Sequence, residues 1–292
     1  YMNLSSYLNS AETVSNQVLF LIQLPLLYIQ SRMQNRGVFT LDLFLPIRGK
    51  KTVLGFMWEK PQPFLPEWFA KMDLSSYEGK AFLDVGANLA LFGAHFVNQT
   101  NGNAHCFEIS PIINSLLEKN ATTKKGMIIV GGGLSNESGK ATYYSDHPYS
   151  MMGTLRSERY ADKGFTSAGE TNLFTLDEYM KKFPELTIGL IKIDVEGNEE
   201  NVLKGGLKTI VKHKPVILFE TNRPGDFEKC EKILKLLGYA FEPLDATNCR
   251  AVPTKTKPKP TTKKKRKPIA KKEVKPIARK PLIAIDPLST LE

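Results

Sequence analysis

Cysteine and histidine are scarce in this chain of 292 residues, which holds three of the first and four of the second. Cys106, Cys230 and Cys249 do not stand at metal-ligand spacing, and three cysteines cannot all pair within one chain. That argues against a disulfide framework and for a reducing compartment. Four histidines without a ligand cluster give no reason to place a metal. Long apolar runs are also missing. The most apolar stretch, residues 18–29, is broken by Gln23 and Pro25. A membrane span needs about 20 apolar residues, so none is expected here. No basic residue precedes the run, which argues against a secretory signal. It reads instead as a buried helix or strand of an N-terminal subdomain. The first residue is Tyr1, not Met, which suggests a fragment or a processed product.

Acidic residues are nearly absent from one region only. Residues 251–281 carry 13 Lys or Arg against a single acid, Glu273, a local charge of +12. Taking this from the net charge of +10 leaves −2 for everything else. The basicity is therefore a property of the tail, and the remainder is close to neutral. From Thr254 onward the composition turns to Lys, Pro and Thr, with two near-copies at 267–272 and 275–280. Repelling charges and frequent proline cannot build a core, so residues 254–292 are expected to be a disordered basic tail. The cluster Lys263–Lys267 has the character of a nuclear-import or polyanion-binding segment. Without interleaved aromatics it would grip phosphates without reading bases, or meet an anionic membrane, or only keep the protein solvated.

Residues 1–75 read as an N-terminal extension. Runs at 38–46 and 51–57 flank Arg48-Gly49-Lys50 and suggest a β-hairpin, after which Pro61, Pro63 and Pro66 break regular structure. Residues 76–253 alternate strand and helix. Strands are expected at 81–83, 104–108, 127–130, 188–194, 215–220, 239–243 and 248–252. Helical spacing marks Leu89, Phe92 and Phe96, then Ile112 to Leu117, then Val202 to Ile210, then Phe227 to Leu237 with Gly238 as the stop. This alternation implies an α/β fold, a mostly parallel sheet covered by helices on both faces.

The chemistry gathers at the strand ends. Asp84, Glu108, Asp194 and Glu220 stand at or near the carboxyl ends of four strands, where open α/β sheets bind ligands. The first strand runs into Gly86-Ala87-Asn88 and a helix, whose N-terminal N–H groups are open to an anionic group. The G-x-G-x-x-G pattern of phosphate-bearing nicotinamide cofactors is absent; only Gly86 and Gly93 occur. Glu108 can accept hydrogen bonds from a ribose diol. S-adenosylmethionine fits these features, because it has the diol, no phosphate, and cationic groups that acids would attract. In 192–196 the period of two puts Lys192, Asp194 and Glu196 on one face. A lysine inside a central strand needs a carboxylate partner, and Glu220 is the expected one. Lys192 then either stiffens the site or takes part in catalysis. His95 reads as a helix-face residue and not as a base. Residues 143–155, rich in aromatics, Ser and Met, suit a mobile substrate flap or an ordinary surface connection.

An ordered set of blocks carries a family resemblance. Asp84-Val85-Gly86-Ala87-Asn88, Phe107-Glu108, Gly133-Leu134-Ser135 with Gly139, Thr175-Leu176-Asp177 and the run from Leu190 to Gly197 occur in sequence, followed by Leu203, Gly205 and the strand ending at Glu220. Over residues 75–253 the chain resembles the FkbM-type methyltransferases, S-adenosylmethionine-dependent enzymes with a Rossmann-like fold. The resemblance implies that Asp84, Gly86, Ala87 and Asn88 line the methionine end of the cofactor and that Glu108 holds the ribose. It further implies that Asp194 sits beside the transferable methyl and that the segment ending at Ser135 borders the adenine. Asp194, Glu196 and Lys192 become the candidate catalytic residues, with Glu196 or Asp194 as the base for a hydroxyl acceptor. Two departures stand out. Ala90 occupies a position usually held by glycine, from which slightly altered cofactor packing is expected. Ile109-Ser110-Pro111 replaces a proline directly after the ribose acid. The expected activity is O-methylation of a hydroxyl on a small molecule or carbohydrate, in the cytoplasm, with a nuclear location open through the Lys263–Lys267 cluster. The other reading is a nucleic-acid-associated protein, an RNA methyltransferase or a non-catalytic binder, that works through the basic tail.

Overall fold

The computed structural model describes residues 46–48, 51–146, 153–156, 158, 164–221 and 225–254. The apolar run at 18–29 and the basic tail beyond Thr254 lie outside the described residues, as does the second of the chain's two units, Lys259–Glu292. The description opens with two short antiparallel strands, Pro46–Arg48 (β1) and Lys51–Thr52 (β2). Of the expected strand at 38–46 only Pro46 is among the described residues, and residues 53–57 are not strand. They begin helix Val53–Glu59 (α1). Leu54, Met57 and Trp58 recur at i, i+3 and i+4, so one helical face meets the core, which an alternating strand could not do. Next come a 3-10 turn at Gln62–Phe64, the short helix Glu67–Ala70 (α2) and a second 3-10 turn at Ser75–Tyr77. Leu54, Trp58, Phe69, Leu74 and Tyr77 are buried in the same cluster as Phe82 and Phe96. Residues 54–77 are therefore part of the wall of the domain.

The α/β unit runs Ala81–Val85 (β3), Leu91–Thr100 (α3), Asn103–Glu108 (β4), Pro111–Ala121 (α4) and Met127–Gly131 (β5). Three strands absent from the sequence reading follow: Gly133–Leu134 (β6), Gly139–Ser145 (β7) and Thr166–Phe174 (β8). After them come Leu176–Tyr179 (α5) and Ile188–Ile193 (β9). Two helices, Glu199–Gly205 (α6) and Leu207–His213 (α7), stand where the spacing suggested one. The chain separates them at Gly205-Gly206. A Cβ on Gly205 would lie 2.0 Å from the Ser135 carbonyl oxygen, and one on Gly206 would lie 2.8 Å from Leu176. The described part ends with Val216–Glu220 (β10), Asp226–Leu236 (α8), Tyr239–Pro243 (β11) and Asn248–Pro253 (β12).

The main sheet has seven strands in the order β11-β12-β10-β9-β3-β4-β5. The five from β10 to β5 are parallel, while β12 and β11 are antiparallel additions at one edge. From β3 the chain moves outward to β4 and β5, then returns to the other side of β3 to form β9. That reversal puts the topological switch point between β3 and β9, where open α/β sheets leave a crevice for ligand. One apolar cluster fills the α3 and α4 face, around Phe82, Phe96 and Leu117. The other fills the α5 to α8 face, around Leu83, Ile191, Ile193 and Phe219. The small sheet, ordered β6-β8-β7, stands apart from the main one.

Candidate functional site

The turn after β3 is shaped by contacts that leave no room for side chains. Gly86 has φ +77°, and a Cβ there would lie 1.8 Å from the Asp194 carbonyl oxygen. Only glycine fits. The N–H groups of Gly86 and Ala87 both donate to the Phe107 carbonyl, which ties the turn to the end of β4. Asn88 has φ +49° and its N–H donates to Glu108 Oε2 at 2.9 Å. The other Glu108 oxygen accepts from the Ser110 N–H, also at 2.9 Å. Ser110 in addition caps α4 by accepting from the Ile113 N–H, with Pro111 in the first turn. Ile109, where a proline would have no N–H, adds a further donor to Glu108, and Ser110-Pro111 gives the helix a regular start. Burial raises the Glu108 carboxyl above its ordinary range, with the Ser110, Asn88 and Ile109 N–H groups acting the other way.

Asp84 and the helix behave differently from the sequence expectation. Asp84 is fully buried beneath the turn and is not among the residues that line the cavity. Its Oδ2 accepts from the Gly93 N–H at 3.2 Å, in the first turn of α3. Ala90, the residue before α3, offers no capping side chain, so the carboxylate from β3 supplies the cap. That end of the helix is already partnered by an anion. Ala90 itself has φ +53° and ψ +33°, precedes the helix instead of entering it, and is buried in the core cluster. It does not line the cavity.

Lys192 lies opposite Asp84 in the β3–β9 register, with Leu218 opposite it on β10. Its ammonium stands 3.2 Å from Asp194 Oδ2 and 3.8 Å from Asp84 Oδ1, donates to the Gly86 carbonyl at 3.3 Å, and sits 4.7 Å from the centre of the Phe92 ring. The expected partner was Glu220; the close partners are Asp194 and Asp84. Cross-strand register decides this, because Glu220 lies two residues beyond Leu218. Burial alone would lower the Lys192 ammonium, but Asp194 and Asp84 outweigh it and hold it above its ordinary value. Burial pushes Asp84 up to about 7, even with Lys192 and the Gly93 N–H favouring the charged form. His95 is buried against Phe69, with ring centres 5.6 Å apart, and does not line the cavity.

A cavity of about 320 Å³ opens over the switch point. Gly86, Ala87, Asn88, Glu108, Lys192, Asp194 and Glu196 all line it. The structure thus brings most of the sequence-derived candidates to one space. Ser135 sits just behind the wall formed by Gly133 and Leu134, and its hydroxyl accepts from the Asn198 amide at 3.4 Å. Phe64 and Leu65 from the N-terminal segment and Phe92 from α3 line the cavity without any sequence signal for a site, whereas Gly153 and Leu155 belong to the stretch read as a flap or surface connection. Of the proposed flap, Tyr143 to Ser145 belong to β7, and Thr154 bridges back to Tyr144. Residues 147–152 lie outside the described residues.

Asp194, Glu196 and Glu220 each present a carboxylate oxygen within 4.8 Å of the others. Burial, then the charges of Asp194, Glu196 and Glu199, push Glu220 up to about 8.

Among solved structures the chain is similar to methyltransferase FkbM from Methylobacillus flagellatus KT, at 15% identity over 85% of this chain, with a TM-score of 0.46. It spans 57% of the length of that structure. It is also similar to precorrin-6y C5,15-methyltransferase from Geobacter metallireducens GS-15, at 12% identity, covering 62% of this chain and 85% of that one, TM-score 0.39. A third is fibrillarin from Aeropyrum pernix in complex with S-adenosyl-L-methionine, at 12% identity, covering 62% and 70%, TM-score 0.38. No curated protein matches the chain. Residues 84–249, more than half of the chain, match the family model described as methyltransferase FkbM domain, and the chain belongs to that family.

Proposed function

We propose that the chain is an S-adenosylmethionine-dependent methyltransferase that acts on a hydroxyl of a small molecule or carbohydrate. The observation that carries the reading is Glu108, a strand-end carboxylate held by two backbone N–H groups beside a turn that only glycine can make. Its orientation is set before any ligand arrives, which favours recognition of a vicinal diol. The residues present fit the group. Gly86, Ala87 and Asn88 offer backbone to the methionine end, Glu108 takes the ribose hydroxyls, and Gly133 and Leu134 with Ile109 border the adenine. Among the residues that line the cavity, Asp194 and Glu196 outnumber the one ammonium, that of Lys192, a balance that suits a cationic ligand.

When bound, S-adenosylmethionine supplies a methyl group activated by its sulfonium. The chain's own residues orient the acceptor, exclude water and accept a proton. Asp194 or Glu196 would take the proton of the acceptor hydroxyl. Lys192 holds Asp194 in place from below and balances part of its charge. Phe64, Leu65, Phe92 and Leu155 give the cavity apolar walls.

The test is titration calorimetry with S-adenosylmethionine, followed by a screen of hydroxyl acceptors for a mass gain of one methyl. Glu108→Ala should weaken cofactor binding by about tenfold or more, the size of a charge-assisted hydrogen bond. An intact wild-type protein that takes up no cofactor would sink the reading.

A further inference from the structure

We propose that Thr154 is a positioning residue that, together with Glu199, fixes the Glu196–Gly197 peptide and so aims the Glu196 carboxylate into the cavity. This rests on the reading of Glu196 as an acceptor-side carboxylate. Glu196 has φ +54°, a backbone conformation that strains an ordinary side chain and persists only when its surroundings impose it. The surroundings are specific. Thr154 Oγ1 donates to the Glu196 carbonyl at 3.0 Å. The N–H of the same peptide unit, on Gly197, donates to Glu199 Oε1 at 3.0 Å, and the Val195 N–H donates to that oxygen at 3.2 Å. One peptide plane is therefore gripped at both ends. Beyond it, Arg156 Nη1 donates to the Gly197 carbonyl at 3.4 Å.

Thr154 is built as a rigid node. Its side chain and backbone are fully buried, and its hydroxyl also accepts from the Arg156 N–H at 3.0 Å. Its own N–H and carbonyl are both bonded to Tyr144, at 2.9 and 2.8 Å, which anchors it to β7. Strand β7 thereby reaches the Glu196 peptide through the Thr154 hydroxyl. Neither Thr154 nor Glu199 lines the cavity, so their effect on it passes through the Glu196 backbone. Release of the grip lets Glu196 leave its left-handed conformation and carries its carboxylate away from Asp194 and Glu220.

The test reads that displacement directly and needs no acceptor. Glu220 is faced by Asp194, Glu196, Glu199 and the ammonium of Lys192, so its titration reports how close Glu196 lies. In protein labelled with carbon-13 at the glutamate carboxyl, the Glu220 midpoint should fall by about one pH unit in Thr154→Val, the scale of one neighbouring charge lost. Thr154→Ser, which keeps the hydroxyl, should restore the wild-type midpoint. Glu196→Gln should lower it in the same direction as Thr154→Val and assign the effect. Thr154→Ala removes the hydroxyl together with a methyl, puts no apolar group against the Glu196 carbonyl, and reads the same quantity should the valine variant fail to fold. A Glu220 midpoint unchanged in folded Thr154→Val or Thr154→Ala, or one that serine does not restore, overturns the assignment. If the protein binds no cofactor the proposed function falls, while this titration still decides the role of Thr154.

Discussion

Ala90 shows how a residue can break a local rule at little net cost. Its left-handed backbone costs about 1–2 kcal/mol relative to glycine. Against this, its buried methyl contributes about 0.8 kcal/mol. Its lower unfolded-state entropy contributes about 0.4–1 kcal/mol more. The terms nearly cancel. Ala90→Gly should therefore change stability by less than about 1 kcal/mol in urea unfolding. Ala90→Val, β-branched in the same conformation, should cost about 2 kcal/mol or more. A valine variant as stable as wild type would show that the turn does not hold this conformation in solution.

At the scale of elements, the main sheet was legible because its strands are short apolar runs separated by turn residues. Every one of the seven expected strands is present within two residues of its sequence bounds. The small sheet was not legible. β8, reading Thr-Ser-Ala-Gly-Glu-Thr-Asn-Leu-Phe, has one buried position and mostly polar residues, so no apolar alternation marks it. The carboxylates were readable as strand-end acids, but their partners were not. Pairing of Lys192 with Asp84 depends on the β3–β9 register, a long-range quantity that no local spacing encodes. The same holds for α1. Trp58 Nε1 donates to the Leu89 carbonyl at 2.8 Å, and the Asn98 amide on α3 donates to the Trp58 carbonyl at 2.8 Å. Helix α1 thereby pins both the end of the ligand turn and the helix that follows it. Trp58→Phe keeps the ring in the core but strands a buried carbonyl, and should cost about 1–3 kcal/mol in urea unfolding. It should also weaken cofactor binding, because Leu89 lines the cavity. Loss of stability with unchanged cofactor affinity would separate α1 from the site.

Across the whole molecule, charge and chemistry are divided along the chain. The acids gather over the switch point, whereas residues 251–281 carry +12. Among the described residues no helix is long and apolar enough to cross a membrane. The basic segment should bind a polyanion such as heparin or an oligonucleotide without sequence preference, and the affinity should fall steeply with added salt. Removal of residues 255–292 should abolish that binding and leave calorimetric cofactor uptake intact. Polyanion binding that survives the deletion would move the interaction to the folded domain and favour the nucleic-acid reading.

The Lys192 ammonium and the Gly86 carbonyl that it reaches are 106 positions apart. During synthesis the chain therefore emerges with Asp84 and the ligand turn long before their counter-charge exists. Until β9 slots in beside β3, a carboxylate destined for the interior has to stay in water, and the halves of the sheet flanking the crevice cannot close on each other. Ligand competence should thus arise late and together with sheet closure. A ribosome-bound chain that ends before Lys192 would carry a complete Gly86-Ala87-Asn88 sequence and yet form no pocket.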